Sequence, residues 1–306
     1  MKKIDFHIHL TDDYPLEKSV ENIKALCARN GYETVGIMSI QHLNGSYVKN
    51  ANEKVMAVKK QIPGAFAFAS PVFDGTEYFE QAKQLMAQGF DGIKLLDGKP
   101  SESRDLGTGL DHPIVDRFFA YAEKEGIPVL LHNNDPKLHW DITKMNERAI
   151  KNGWYYDENM PSFEHYCKAL ENILEKYPNV KLALAHMAFY ADNLDRISYF
   201  LEKCPNLYMD ITPALIIYEH LSNDIEKAQQ FFDKYADRIF YGTDCWSDLE
   251  NQSNLDYNNK KVKIISHFLT GDGERIIDGQ LTRSIKLTRK QIEDIYYNNC
   301  KKFVSK

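Results

Sequence analysis

The 306-residue sequence has no CxxC pair, no stretch approaching eighteen consecutive apolar residues and no long run of one charge. Each absence removes a class of function. Cys27, Cys167, Cys204, Cys245 and Cys300 are odd in number and widely spaced, which argues against a disulfide framework and fits reduced thiols. With no run of membrane-crossing length, and with the polar, histidine-bearing start MKKIDFHIHL, neither membrane insertion nor secretion is expected, so the expected compartment is the cytoplasm. Lysine and arginine number 38 against 44 aspartate and glutamate, a net charge of −6, so nucleic acid is a poor partner. A small-molecule substrate is expected instead, and the composition is compatible with a homo-oligomer. No linker, low-complexity segment or internal repeat marks a second domain, so residues 1–306 are read as one domain.

What is present is a soluble globular profile, 43% apolar and 27% charged, in a chain somewhat longer than the roughly 250 residues a single (β/α)8 barrel needs. Eight short runs rich in apolar and β-branched residues recur: Ile4 to His9, Thr34 to Ile40, Ala65 to Val72, Gly92 to Leu96, Pro128 to Asn133, Lys181 to Met187, Leu207 to Thr212 and Ile239 to Trp246. Strings such as VLLH and LALAH are nearly continuous in apolar character, as strands buried on both faces should be. Segments of helical period lie between them. Leu16, Val20, Ile23 and Leu26 share one face, Val115, Phe118, Phe119 and Ala122 another, and Leu170, Ile173 and Leu174 a third. Thr288 is the expected N-cap of a closing helix through Ile292, Ile295 and Tyr296. The alternation predicts an α/β fold, a (β/α)8 TIM barrel with long loops at its C-terminal face, notably Asp97 to His112 and Asn133 to Ser162. An open doubly wound sheet is the rival, but GxGxxG is missing after the first strand.

His7 and His9 are two apart in a strand, so both imidazoles point to one face. Asp5 is expected on that face one layer deeper, orienting an imidazole. Lys94 in GIKLL, His132 in VLLHNND, His186 in LALAHMAF and Asp244 in YGTDCW each end an apolar strand. Burying so many polar groups without a shared partner is costly, so a common metal is the economical explanation. Cys245 beside Asp244 reads as a packing thiol, since no activating base is placed for it. His42, His112, His165, His220 and His267 carry no motif and read as surface or packing residues.

With those residues in hand, the chain resembles the amidohydrolase superfamily, and more closely its amidohydrolase family 2 branch. The resemblance runs through DFHIHL, FDGIKLL, GIPVLLHNND, VKLALAHM and RIFYGTD, which span nearly the whole chain. It implies that His7, His9, His132 and Asp244 ligate a divalent metal, zinc by default with manganese, iron or nickel as fits, while His186 assists or joins them. One ion is favoured over two. In binuclear relatives a strand-four lysine is carboxylated and bridges the pair, the position that Lys94 occupies; in the mononuclear branch it contacts substrate. Two neighbouring families also start on a DxHxH-like strand. The polymerase and histidinol phosphatase family continues into Ser-Asp-Gly, where this chain has TDDYP, and the metal-dependent deoxyribonucleases carry a strand-four glutamate in place of Lys94.

The implied reaction is hydrolysis. An ion with an open position lowers the pKa of its water towards ~7 and polarises a carbonyl. Asp244 relays the proton to the leaving group, and His186 positions the water or steadies the oxyanion. A metal-dependent decarboxylase is the alternative and a non-catalytic metal-binding protein a distant third. Substrate contacts are expected from Lys94, from Lys99 and Arg104 in GKPSESRD, and from His139, Trp140 and Trp246 as walls.

Overall fold

In the computed structural model, which describes residues 1–11, 14–44, 47–145, 147–213 and 215–305 with the side chains of 42–49 and 148 left out, nine parallel strands form one sheet. They are β1 Ile4–His9, β2 Thr34–Met38, β3 Phe66–Ala69, β4 Gly92–Gly98, β5 Val129–Asn133, β6 Leu182–Leu184, β7 Leu207–Asp210, β8 Ile239–Phe240 and β9 Cys245–Trp246. Neighbours follow in the order β8-β7-β6-β5-β4-β3-β2-β1-β9. Because β8 and β9 are two pieces of one segment, the pairing of β9 with β1 brings eight strand positions round into a (β/α)8 barrel. Its seam is held by Phe6 N–H to Tyr241 O at 3.1 Å and Asp244 N–H to His7 O at 2.8 Å. Two antiparallel hairpins, Gln41–Asn44 with Tyr47–Asn50 and Glu274–Ile277 with Gln280–Arg283, decorate it.

The helical periods land as expected. Helix Leu16–Asn30 buries Val20, Ile23 and Leu26, and helix Pro113–Glu125 buries Val115, Phe118, Phe119 and Ala122. His112 has a definite task there: its ring accepts from Ile114 N–H at 3.2 Å and caps the helix. Thr288 caps the closing helix in a reciprocal capping box with Gln291, which satisfies two otherwise orphan donors. The side chain of His42 lies outside the described residues. Among the described residues no helix is long and apolar enough to cross a membrane.

Alternation along the strands produces two cores. Outward residues such as Val35, Ile37, Ile93, Leu95, Val129 and Leu131 pack under the helices. Inward residues Ile4, Phe6, Phe68, Leu130, Ala183, Tyr208 and Phe240 fill the barrel floor, closed from below by Cys300 and Phe303 of the last helix. Phe6 is the hub of that floor, with ring centroids 4.9 Å from Phe240, 5.4 Å from Phe68 and 6.1 Å from Phe303.

β1 departs from simple alternation. Its pairing with β2 shifts register between Asp5 and Ile8. Phe6 gives its N–H, and His7 its C=O, to the same neighbouring segment, which successive residues of a regular strand do not do. Below the irregularity Ile4 and Phe6 face inward, while above it Ile8 joins the outer core. The expectation that Asp5 shares the face of His7 and orients an imidazole is therefore corrected. Its carboxylate accepts from Thr243 N–H at 3.0 Å, Thr243 Oγ1 at 2.6 Å and the backbone N–H of His7 at 3.3 Å, and among the described residues it is hydrogen-bonded to no imidazole.

Candidate metal centre and active site

The polar groups stand one layer above the floor. Leu130 is followed by His132, Tyr208 by Asp210 and Phe240, at the end of β8, by Gly242, each two residues further along the chain. A side chain at Gly242 would meet His7 Cβ at 3.1 Å and Thr212 Cγ2 at 2.8 Å, so glycine leaves the room that His7 occupies.

Three groups converge at the centre. His7 Nε2 lies 3.2 Å from His9 Nε2, and Asp244 Oδ1 lies 3.1 Å from His9 Nε2 and 3.6 Å from His7 Nε2. The far side of each ring identifies the protonated nitrogen. His7 Nδ1 is 2.7 Å from the Asp210 carboxylate and His9 Nδ1 is 3.3 Å from the Met38 carbonyl, both pure acceptors, so each Nδ1 carries the hydrogen. Burial pushes the His7 imidazole down to about 3, so its ring is neutral. When both rings carry a single hydrogen, on Nδ1, two lone pairs and a carboxylate oxygen face one another. Such a set of acceptors repels itself unless a cation lies among them, and imidazole with carboxylate is a donor set that suits zinc, manganese or iron.

Asp244 reaches this point through a left-handed backbone, φ 52°. Its carbonyl accepts from the buried Lys261 Nζ at 2.6 Å. The conformation interrupts the expected strand Ile239 to Trp246, splitting it into β8 and β9. Burial opposes ionisation of Asp244, but His9, His7 and His186 together hold its carboxyl well below the usual range.

His132 stands apart from that trio. Its Nε2 is 2.9 Å from Asn134 O and 3.5 Å from Asp135 Oδ1, so the free lone pair is on Nδ1. Its ring centroid is 4.8 Å from that of His186, and burial lowers its pKa to about 4. Among the described residues only His7, His9 and Asp244 gather within metal-ligating range of one another.

His186 follows a shortened β6. In place of a strand running to Met187, residues His186, Met187, Ala188 and Phe189 take φ of 55°, 51°, 50° and 58°, one turn of left-handed helix built without glycine. Each such residue costs roughly 1–2 kcal/mol, a strain that persists only where surroundings enforce it. The enforcing group is Asp210, whose Oδ1 accepts the His186 N–H at 2.8 Å. His186 Nδ1 also meets Thr212 Oγ1 at 2.7 Å and Thr212 O at 3.2 Å.

Lys94 is buried, and its Nζ has no hydrogen-bond partner among the described residues. Burial lowers its pKa to about 8, with Asp210 and Asp244 pulling the other way. The remaining expected residues line the rim unevenly. Trp246 sits half-open with its ring centroid 5.2 Å from that of His9. His139 is buried against Trp154 and Tyr156, with Nδ1 unpartnered among the described residues. Lys99 Nζ is tied to Ser101 Oγ at 2.5 Å and lies 5.2 Å from the centroid of the Trp154 ring. Arg104 pairs with Asp105 at 2.7 Å on an exposed face. Trp140 packs its loop, its Nε1 donating to Pro161 O at 2.9 Å and its ring against Tyr156, Phe163 and Tyr166. Cys245 is buried, and burial pushes its thiol up to about 11.

Sequence reasoning missed Asp210, Thr212 and Lys261. Asp210 ends LYMD just as His132 ends VLLH, so the signal that found the others was available. Lys261 left no signal, because its role depends on a helix returning across the seam.

A family model described as Amidohydrolase matches residues 4–305. Among solved structures the fold is similar to that of an uncharacterized TIM-barrel protein from Bordetella bronchiseptica, TM-score 0.63 at 15% identity over 99% of this chain and 98% of the other. It is also similar to a probable 2-pyrone-4,6-dicarboxylic acid hydrolase from Acinetobacter baumannii with citric acid bound, TM-score 0.53 at 14% identity over 99% of each chain. A third is a dihydroxybenzoic acid decarboxylase from Polaromonas sp. with bound manganese and the inhibitor 2-nitroresorcinol, TM-score 0.55 at 16% identity over 99% of this chain and 96% of the other. Comparison with curated proteins finds no match.

Proposed function

The chain belongs to the amidohydrolase family, and on that premise we propose that it is a metal-dependent hydrolase of a small acidic substrate. The observation that carries the reading is the convergence of His7 Nε2, His9 Nε2 and Asp244 Oδ1, with separations of 3.2, 3.6 and 3.1 Å. His7, His9 and Asp244 would hold one divalent ion, and His132, with its free lone pair on Nδ1, is the further candidate ligand. Such an ion supplies an acidified water and polarises a substrate oxygen.

The residues of the chain divide the remaining work. Asp244, ionised and about a third exposed at its side chain, takes the proton of the attacking water and returns it to the leaving group. Neutral His186 carries its hydrogen on Nδ1, towards the Thr212 carbonyl, and in that form Nε2 is an acceptor. It therefore positions the water and is not suited, while neutral, to donate to an oxyanion. Lys94 is mostly an ammonium at neutral pH, unpaired in the barrel mouth, and holds a carboxylate of the substrate. The proposal of a single ion agrees with this charge state, since a bridging carbamate needs the neutral amine.

The same unpaired cation favours the second reading, decarboxylation, because a carboxylate held at Lys94 is also a group that can leave as CO2. The Polaromonas neighbour is a decarboxylase and the Acinetobacter neighbour is named as a hydrolase, so the fold accommodates both. Metal analysis of protein purified without chelator, followed by product identification on small aromatic and lactone carboxylates, tests the proposal. One ion per chain with an acid product supports it; release of CO2 moves the assignment to the second reading, and protein that neither retains nor binds a divalent ion defeats both.

A further inference from the structure

The Asp210 carboxylate makes four hydrogen bonds. Oδ2 is 2.7 Å from His7 Nδ1, while Oδ1 accepts from the His186 N–H at 2.8 Å, the Thr212 N–H at 3.2 Å and Thr212 Oγ1 at 2.5 Å. Three of these bonds crowd Oδ1, and Oδ2 holds His7. Asp210 is fully buried, ends β7 and, among the described residues, makes no hydrogen bond to the His7, His9 and Asp244 atoms that converge at the centre.

The hydroxyl hydrogen of Thr212 goes to Asp210. Its oxygen is then left as an acceptor for His186 Nδ1, 2.7 Å away, and the Thr212 carbonyl at 3.2 Å can only accept as well. Asp210 thus dictates where the hydrogen sits on two rings, directly on His7 and through Thr212 on His186. His132 is the internal contrast. Among the described residues it has no hydrogen bond to Asp210, and it carries its hydrogen on Nε2, against Asn134 O.

We propose that Asp210 is a positioning residue that fixes the hydrogens of both His7 and His186 on Nδ1, so that both rings present Nε2 to the centre. This rests on the reading of that centre as a metal site. Asparagine at 210 keeps the shape but replaces one oxygen with an NH2. Turned towards His7, that NH2 donates to Nδ1 and drives the ring hydrogen onto Nε2, where it blocks ligation. Turned the other way, it confronts the His186 and Thr212 donors.

Protein labelled with 15N-histidine and freed of metal, observed by two-bond 1H–15N correlation, tests the proposal without reference to activity. The wild type is expected to show Nδ1–H patterns for His7 and His186 and an Nε2–H pattern for His132. Asp210→Asn is expected to invert His7 and to weaken Mn2+ binding, measured by calorimetry, by roughly 10–100-fold. Thr212→Val should move the His186 signals alone, with Thr212→Ser restoring them. An Nε2–H pattern for His7 in the wild type, or an Asp210→Asn protein with unchanged patterns and Mn2+ affinity, overturns the proposal. If that variant does not fold, the wild-type patterns and the Thr212 pair decide it. Inversion at His7 on Asp210→Asn, together with a wild type that itself binds no Mn2+, upholds the positioning role and defeats the metal reading, so the two failures are distinguishable.

Discussion

The floor and the mouth of the barrel are built from the same strands two residues apart, yet they obey opposite rules. In the floor, Phe6, Phe68, Leu130, Tyr208, Phe240 and Phe303 bury apolar surface around one point. In the mouth, His7, Lys94, His132, His186 and Asp210 are nearly as inaccessible but polar. The lower layer stabilises the fold through transfer and packing. The upper layer costs stability through desolvation, as the lowered pKa values of His7, His132 and Lys94 record. A barrel tolerates the second layer because the first lies directly beneath it, so stability and chemistry are separated along each strand.

The largest expected effects should therefore fall on different properties. Asp244→Asn is expected to lower turnover by roughly 10²–10⁴-fold or more, because an amide neither ligates well nor relays a proton, while the urea midpoint stays near the wild-type value. Phe6→Ala is expected to remove ~3–5 kcal/mol of stability, the usual consequence of emptying a well-packed aromatic site. Turnover by Asp244→Asn near the wild-type rate, or a Phe6→Ala cost under ~1 kcal/mol, would break the division between the layers.

Lys94→Met should sharpen it in one protein. Lys94 has its pKa lowered from 10.5 to about 8 by burial, a shift worth on the order of 3 kcal/mol. Between those values the unfolded chain binds more protons than the native one. Wild-type stability should accordingly rise as pH increases from 8 to 10.5, with the full penalty present below 8. The methionine variant, measured metal-free, should be more stable than wild type at pH 7, lose that rise and lose affinity for a carboxylate substrate. A variant less stable at pH 7, with the wild-type pH slope retained, would mean that Lys94 has a partner in solution and does not pay a desolvation penalty.

How much of this was legible depended on whether the cause was local. The buried strands β1, β4 and β5 carry their apolar character residue by residue, and the His7–His9 spacing declares itself within three positions. The floor likewise follows from alternation. What the sequence concealed was set by bonds between distant segments. The left-handed turn at His186 exists because Asp210, 24 positions away, takes its N–H. The break at Asp244 is held by His7 across the seam and by Lys261 from a later helix. The irregularity in β1 moved Asp5 off the face of the histidines, and no residue in DFHIHL announces it. Local propensity would make regular strand of all three places, and tertiary hydrogen bonding overrides it at the site.

The smallest effect is expected where the two layers meet in sequence. Cys245 follows Asp244 directly, yet in the pairing of β9 with β1 it is opposite Ile8, a residue of the outer core, and not His7. A nucleophilic role would need a thiolate at neutral pH. Burial instead pushes the thiol up to about 11, and no imidazole is hydrogen-bonded to it among the described residues. Cys245→Ala is therefore expected to keep its turnover and to cost about 1 kcal/mol, a typical value for a modest core truncation. The wild-type thiol should resist alkylation at pH 7 until the protein is unfolded by urea. Loss of turnover by a folded, metal-loaded Cys245→Ala protein, together with alkylation of the native wild type, would place Cys245 in the mouth and return a covalent mechanism to consideration.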